Sequence, residues 1–125
     1  MITGRVTWDT EAVVSVNVQA PNGREHVVAA VIDTGFSEFM ALSPDQIAGL
    51  GLPYRGTDRA TLADGSETVL RVYSAVVVWH GVPFLLPVFQ SEAGALLGMA
   101  LLRGSLLTVE IIEGGHVQIQ PLGLP

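Results

Sequence analysis

At 125 residues, 49% of them hydrophobic, the chain has the size of a single domain able to bury roughly two-thirds of its unfolded surface. Its net charge is −6 and its six basic residues, all arginine, are scattered from Arg5 to Arg103, which excludes the clustered positive face of a nucleic-acid binder. The apolar runs stay below the roughly 18 residues of a membrane-spanning helix, the N-terminus lacks the basic and apolar regions of a secretory signal, and there is no cysteine; a soluble cytoplasmic protein is expected.

Strand patterns dominate the chain. Residues 13–18 alternate apolar and polar side chains with the period of a half-buried strand, and Pro21-Asn22-Gly23-Arg24 has turn chemistry before the apolar run 27–32. Asn22-Gly23 suits the positive φ of a tight hairpin. Ser43-Pro44-Asp45-Gln46 combines an N-cap, a proline at the first helical position and a capping-box glutamine, so one or two helical turns are expected, closed by Gly49 or Gly51. A second hairpin is read from residues 59–63, a tip at Asp64-Gly65, and residues 66–73, continued by 75–79. After Gly81, residues 82–89 read as the next strand; Pro83 and Pro87 interrupt this stretch as a candidate membrane span. Residues 99–103 are a second short helix between Gly98 and Gly104, and residues 106–112 and 116–120 are strands around Gly114-Gly115. The pattern is all-β with one or two short helices, in one domain spanning residues 1–125.

Several chemistries are set aside by spacing. No nucleophile elbow follows any strand, and the order of serines, histidines and aspartates singles out no triad. His26, His80 and His116 are far apart, without a His-x-His or His-Glu-x-x-His pattern, so no metal site is expected. Gly49-Leu50-Gly51 is a helix end, since no Lys-Ser or Lys-Thr follows to make a phosphate loop.

Asp33 remains. Asp33-Thr34-Gly35 closes the apolar run 27–32, and Phe36, Phe39, Met40 and Leu42 resume apolar sequence directly afterwards. Asp and Gly are common turn residues, but a carboxylate flanked by core on both sides is costly unless it has work to do. Far downstream stands a second apolar-apolar-glycine, Leu96-Leu97-Gly98.

Asp33-Thr34-Gly35, then the hairpin tip Asp64-Gly65, then Leu96-Leu97-Gly98-Met99 and a short helix resembles the retropepsin-like aspartic proteases, most of all the small bacterial single-domain members. The match in order covers about residues 13–112. The resemblance implies an acid-protease half-barrel with a flap hairpin, acting as a homodimer on peptide or protein substrates, with no metal and no cofactor. Asp33 is then the catalytic residue, and the other carboxylate of the pair is Asp33 of a second copy, because no other aspartate has this context. Two such carboxylates share one proton, so one acts as base and the other as acid.

By the same resemblance, Thr34 reaches across the twofold axis, Gly35 gives the tight turn, Leu96 and Leu97 pack beneath the loop, and Gly98 allows a close approach. Asp64 and Gly65 close over substrate as the flap tip, and Phe36, Ser37 and Glu38 border it. Chain ends rich in β-formers, residues 2–8 and 117–122, are candidates for the dimer interface. Two departures stand out: Phe36 occupies a position where relatives carry Ala, Ser or Thr, and Ala100 one where bacterial relatives often carry Asp. The sequence therefore leaves two expectations, an active homodimeric aspartic endopeptidase or a catalytically weak peptide-binding and dimerisation module whose cleft Phe36 narrows.

Overall fold

The computed structural model describes residues 1–61 and 64–123. Within them, ten strands and two short helices run in the order β1 (Ile2–Val6), β2 (Ala12–Gln19), β3 (Glu25–Ile32), β4 (Met40–Leu42), α1 (Pro44–Leu50), β5 (Tyr54–Thr61), β6 (Glu67–Trp79), β7 (Val82–Gln90), β8 (Leu96–Leu97), α2 (Met99–Leu102), β9 (Ser105–Val109) and β10 (His116–Pro121). The expected all-β class holds.

The strands form one sheet in the order β5-β6-β7-β4-β8-β3-β2-β1-β10-β9, and an extra pairing of β6 with β2 closes the stretch from β2 to β6 into a barrel. Closure is possible because β6 is long. Its residues 67–73 pair with β5, while residues 76–78 pair with β2 on the same edge and residues 72–79 pair with β7 on the other. As the sequence suggested, residues 75–79 continue the strand, and Ser74 pairs with Pro87 at the join. Both prolines of β7 are also inside the strand. They lie where β7 has β6 as its sole partner, since β4 pairs only from Val88 onward, and a missing N–H costs little on an open edge.

Period-two alternation accounts for the core. On β2, Val14, Val16 and Val18 are buried between exposed neighbours, and on β3 Val28 and Ala30 match them. These side chains meet Met40, Leu42, Val77, Val88, Leu97, Val117 and Ile119 inside the barrel, capped by Ile47 and Leu50 of α1 and by Leu101 and Leu102 of α2.

α1 forms as its sequence dictates. Gln46 donates its N–H to the Ser43 hydroxyl (3.1 Å), and the Ser43 N–H donates back to Gln46 Oε1 (2.9 Å). Gly51 closes the helix with a left-handed φ of 65°. β9 ends at Val109, short of the expected Ile112, because the Glu110 N–H bonds His116 and residues 110–115 turn back at once.

The chain ends are used internally. β1 pairs with β2 on one side and β10 on the other, and β10 pairs with β9, so neither end strand offers the free edge expected of an interleaved interface. The free edges of the sheet are β5 and β9. A side-chain bond from His80 Nε2 to Ser105 Oγ (2.8 Å) ties the β6–β7 turn to the start of β9.

Replacing Ser43 with Ala removes one side of the capping box and is expected to lower stability by about 1 kcal/mol, measured by urea denaturation. His80 gives a pH-dependent contribution. Burial, followed by the charge of the Met1 amine, holds its imidazole below the ordinary histidine value, and the buried Nδ1 has no hydrogen-bond partner among the described residues. The unfolded chain therefore binds a proton first as pH falls. Stability from this group is complete above about pH 6.5 and declines below it. The urea midpoint should fall between about pH 7 and 5 more steeply for the native chain than for His80→Asn.

Candidate active site

The site is built where β8 threads between β3 and β4. Leu96 and Leu97 run parallel to Val31 and Ile32 on one side and antiparallel to Ala41 and Met40 on the other. The backbone ladder continues one step past β3, because the Asp33 N–H donates to the Leu97 carbonyl (2.9 Å). Asp33 thus follows Val31 by two positions and falls on the same face, while Ile32 and Leu97 point into the core.

The turn itself is held locally. Gly35 donates its N–H to Asp33 Oδ1 (2.9 Å), and Phe36 donates its N–H to the Asp33 carbonyl (3.1 Å). Thr34 and Gly35 are exposed at its tip, whereas Asp33 is half-buried. The returning segment is pinned to the start of α2: Gly98 donates to Phe39 (3.0 Å), Met99 to Phe36 (2.8 Å) and Ala100 to Glu38 (3.3 Å). Gly98 has no alternative at this crossing. A Cβ there would overlap the Glu38 carbonyl oxygen and stand 2.7 Å from both the Phe36 carbonyl and its ring.

A row of directly opposed residues crosses the sheet on the Asp33 face: Val31, Leu96, Ala41, Phe89, Val72 and Gly56, one from each of β3, β8, β4, β7, β6 and β5. Ala41, Val72 and Phe89 form a second apolar cluster, separate from the barrel core, with Phe36, Leu70 and Leu96 packed on it. The Phe36 ring meets Phe89 edge to face, with centroids 6.3 Å apart at 86°. Beside this cluster opens a pocket of about 310 Å³, bounded by Glu38, Arg55, Gly56, Thr57, Asp58, Val72, Pro87 and Phe89.

The structure therefore brings together Asp33, Thr34, Gly35, Phe36, Glu38, Leu96, Leu97 and Gly98, with Ser37 exposed on the same loop. Leu96 and Leu97 divide the work, one facing the site and the other the core. Asp64 and Gly65 stand apart, at the tip of the β5–β6 hairpin; its residues Leu62 and Ala63 lie outside the described part of the chain. There the Ser66 hydroxyl (2.6 Å) and N–H (2.9 Å) both donate to Asp64 Oδ1 and hold its carboxyl below the ordinary aspartate value.

The other aspartates lie on other elements: Asp9 in the β1–β2 turn, Asp45 in the first turn of α1 and Asp58 on β5, where it borders the pocket beside the apolar cluster. Sequence reasoning missed the row through Ala41, Val72 and Phe89, and the charged rim of Arg55 and Asp58. Only the register, in which Ala41 opposes Phe89 and Phe89 opposes Val72, puts these side chains beside the motif.

Chemically, the arrangement presents one carboxylate at the end of an apolar wall, on a loop that main-chain bonds hold in place. No family model matches the chain, and no curated protein sequence matches it. Among solved structures it is similar to the crystal structure of a retropepsin-like aspartic protease from Rickettsia conorii, with a TM-score of 0.54 over 97% of this chain and 91% of that one, at 17% identity. With its β8 crossing and its closed run of strands from β2 to β6, this protein has a retropepsin-like all-β fold.

Proposed function

We propose that the protein is an aspartic endopeptidase that acts as a homodimer, with one Asp33 from each subunit. The observation that carries this reading is the placement of Asp33: a carboxylate fixed at the β3–β8 crossing of a retropepsin-like fold, facing an apolar wall. One carboxylate is half of the chemistry. A water molecule has to lose a proton to a base while the peptide carbonyl oxygen accepts a hydrogen bond from an acid, and two like carboxylates sharing one proton supply both. Water oxygen then bonds to the carbonyl carbon, the C–N bond breaks, and the departing amine takes a proton from the pair. Thr34 and Gly35, exposed beside Asp33, are the residues that would face their symmetry mates.

The free edges of the sheet favour one seam. β5 carries Arg55, Asp58 and Arg59 and has a register shift between Tyr54 and Gly56, features that blunt edge pairing. β9, Ser-Leu-Leu-Thr-Val, is uncharged and regular, and Leu106 is exposed on it. Antiparallel pairing of two β9 strands would extend each sheet into the other, in a segment joined to the β8 crossing through Gly98, α2 and Arg103-Gly104.

A second reading, a peptide-binding and dimerisation module without hydrolysis, is favoured by the Phe36 ring lying on the apolar wall beside Asp33. Both readings meet one experiment. Incubation of the purified protein with unfolded polypeptides between about pH 4 and 7 should give cleavage, and Asp33→Asn should reduce kcat by about 10²–10⁴-fold. Equal cleavage by the two proteins, or none by either, overturns the hydrolase.

The seam has its own readout. The double variant Leu106→Lys, Thr108→Lys places like charges along β9 and is expected to sediment as a folded monomer with its cleavage activity lost. An active dimer in that variant places the twofold axis elsewhere.

A further inference from the structure

We propose that Phe36 determines the specificity of this site: its ring covers, from within the chain, the apolar cluster beside the Asp33 loop, so that the substrate residue lying there has to be small. The inference rests on the hydrolase reading above and names its substrate class, extended peptides with glycine, alanine or serine beside the scissile bond.

Position is the first argument. Asp33 shares a face with Val31, and the row from Val31 through Leu96, Ala41, Phe89 and Val72 begins at that carboxylate. A peptide whose carbonyl is held at Asp33 lies against this row. In an extended peptide, side chains on one face recur about every 6–7 Å, so the residue next to the scissile bond meets the first part of the wall. Phe36 reaches the wall from the Asp33 end: its N–H is bonded to the Asp33 carbonyl, and its half-buried ring is packed on the cluster of Ala41, Val72 and Phe89, edge to face with Phe89.

Rigidity is the second. Phe36 is bonded through its N–H to Asp33 and through its carbonyl to the Met99 N–H, and its ring lies against Gly98 on one side and edge-on to Phe89 on the other. Swinging the ring aside to admit a large side chain would disturb the same loop that holds the carboxylate. The open room on this face lies further along, in the pocket of about 310 Å³ between Glu38, Arg55, Asp58, Val72 and Phe89. Large side chains are accommodated there, away from the bond that is cut.

The test compares wild type, Phe36→Ala, Phe36→Leu and Asp33→Asn on matched peptides that differ in having Ala or Leu beside the scissile bond, the cut sites being first mapped by mass spectrometry on a mixture of unfolded proteins. Wild type should favour the Ala peptide, and Phe36→Ala should shift the ratio of kcat/KM toward Leu by tenfold or more, with Phe36→Leu intermediate. Phe36→Leu keeps most of the apolar contact and decides the question if Phe36→Ala fails to fold. An unchanged ratio in variants that retain Asp33-dependent cleavage, or a wild type that accepts Leu as readily as Ala, overturns the proposal and leaves the hydrolase reading standing. Cleavage that survives Asp33→Asn, or that wild type lacks, overturns both.

Discussion

The structure depends on the passage of β8 between β3 and β4. Two residues, Leu96 and Leu97, supply backbone partners to strands on both sides, and the chain then has to leave through a space that admits no side chain, at Gly98. Everything that fixes Asp33 follows from this passage. Its N–H is satisfied by Leu97, the return of its loop is stitched to Gly98, Met99 and Ala100, and the loop cannot shift unless these main-chain bonds open together. A carboxylate that must be placed to a fraction of an ångström for proton transfer gains more from such backbone bonds than from long polar side chains, which keep rotamer freedom.

The same passage sorts apolar residues into two populations. Ile32, Leu97, Met40 and Val88 look into the barrel and hold the fold together. Val31, Leu96, Ala41, Phe89 and Val72, each displaced by one residue, look the other way and make a wall. Because a strand alternates faces at every residue, the end of β3 serves both, with Val28, Ala30 and Ile32 toward the core and Val31 toward the wall, whereas Val27 and Ala29 on the Val31 face are exposed.

Local chemistry was legible in the sequence, and pairing was not. Asn22-Gly23, the Ser43 capping box with its closing Gly51, and the alternation of residues 13–18 act over a few residues, and each appears where those residues place it. Asp33 and Gly98 were legible as a pair because the carboxylate and the glycine each stand out against an apolar background. Strand order was hidden, since Leu-Leu has no feature that names β3 and β4 as its neighbours. The role of the chain ends was hidden for the same reason. Ile2-Thr3-Gly4-Arg5-Val6 looks like a free β-former, yet it is a sheet interior whose Gly4 lies where a Cβ would overlap the Val13 carbonyl. Phe36 was visible as an oddity, but its orientation depends on Phe89, which is 53 residues away and becomes a neighbour only through the register of β4 and β7.

β6 joins the barrel to the site mechanically. Its C-terminal half is held on both edges, by β2 and β7, and contributes Val77 and Trp79 to the core. Its N-terminal half, before Val72, has β5 as its only partner among the described residues, so residues 57–61 and 67–71 pair as a two-stranded arm, a form with little stability of its own. The boundary falls at Val72, the residue that shares the Phe89 cluster with Phe36. Any movement of the arm therefore hinges at Val72, within the apolar cluster on which Phe36 is packed. In the homodimer proposed above, one loop residue serves both halves, and a large ring at position 36 is compatible with that symmetry because it is packed on the Ala41, Val72 and Phe89 cluster of its own chain while Thr34 and Gly35 stay exposed.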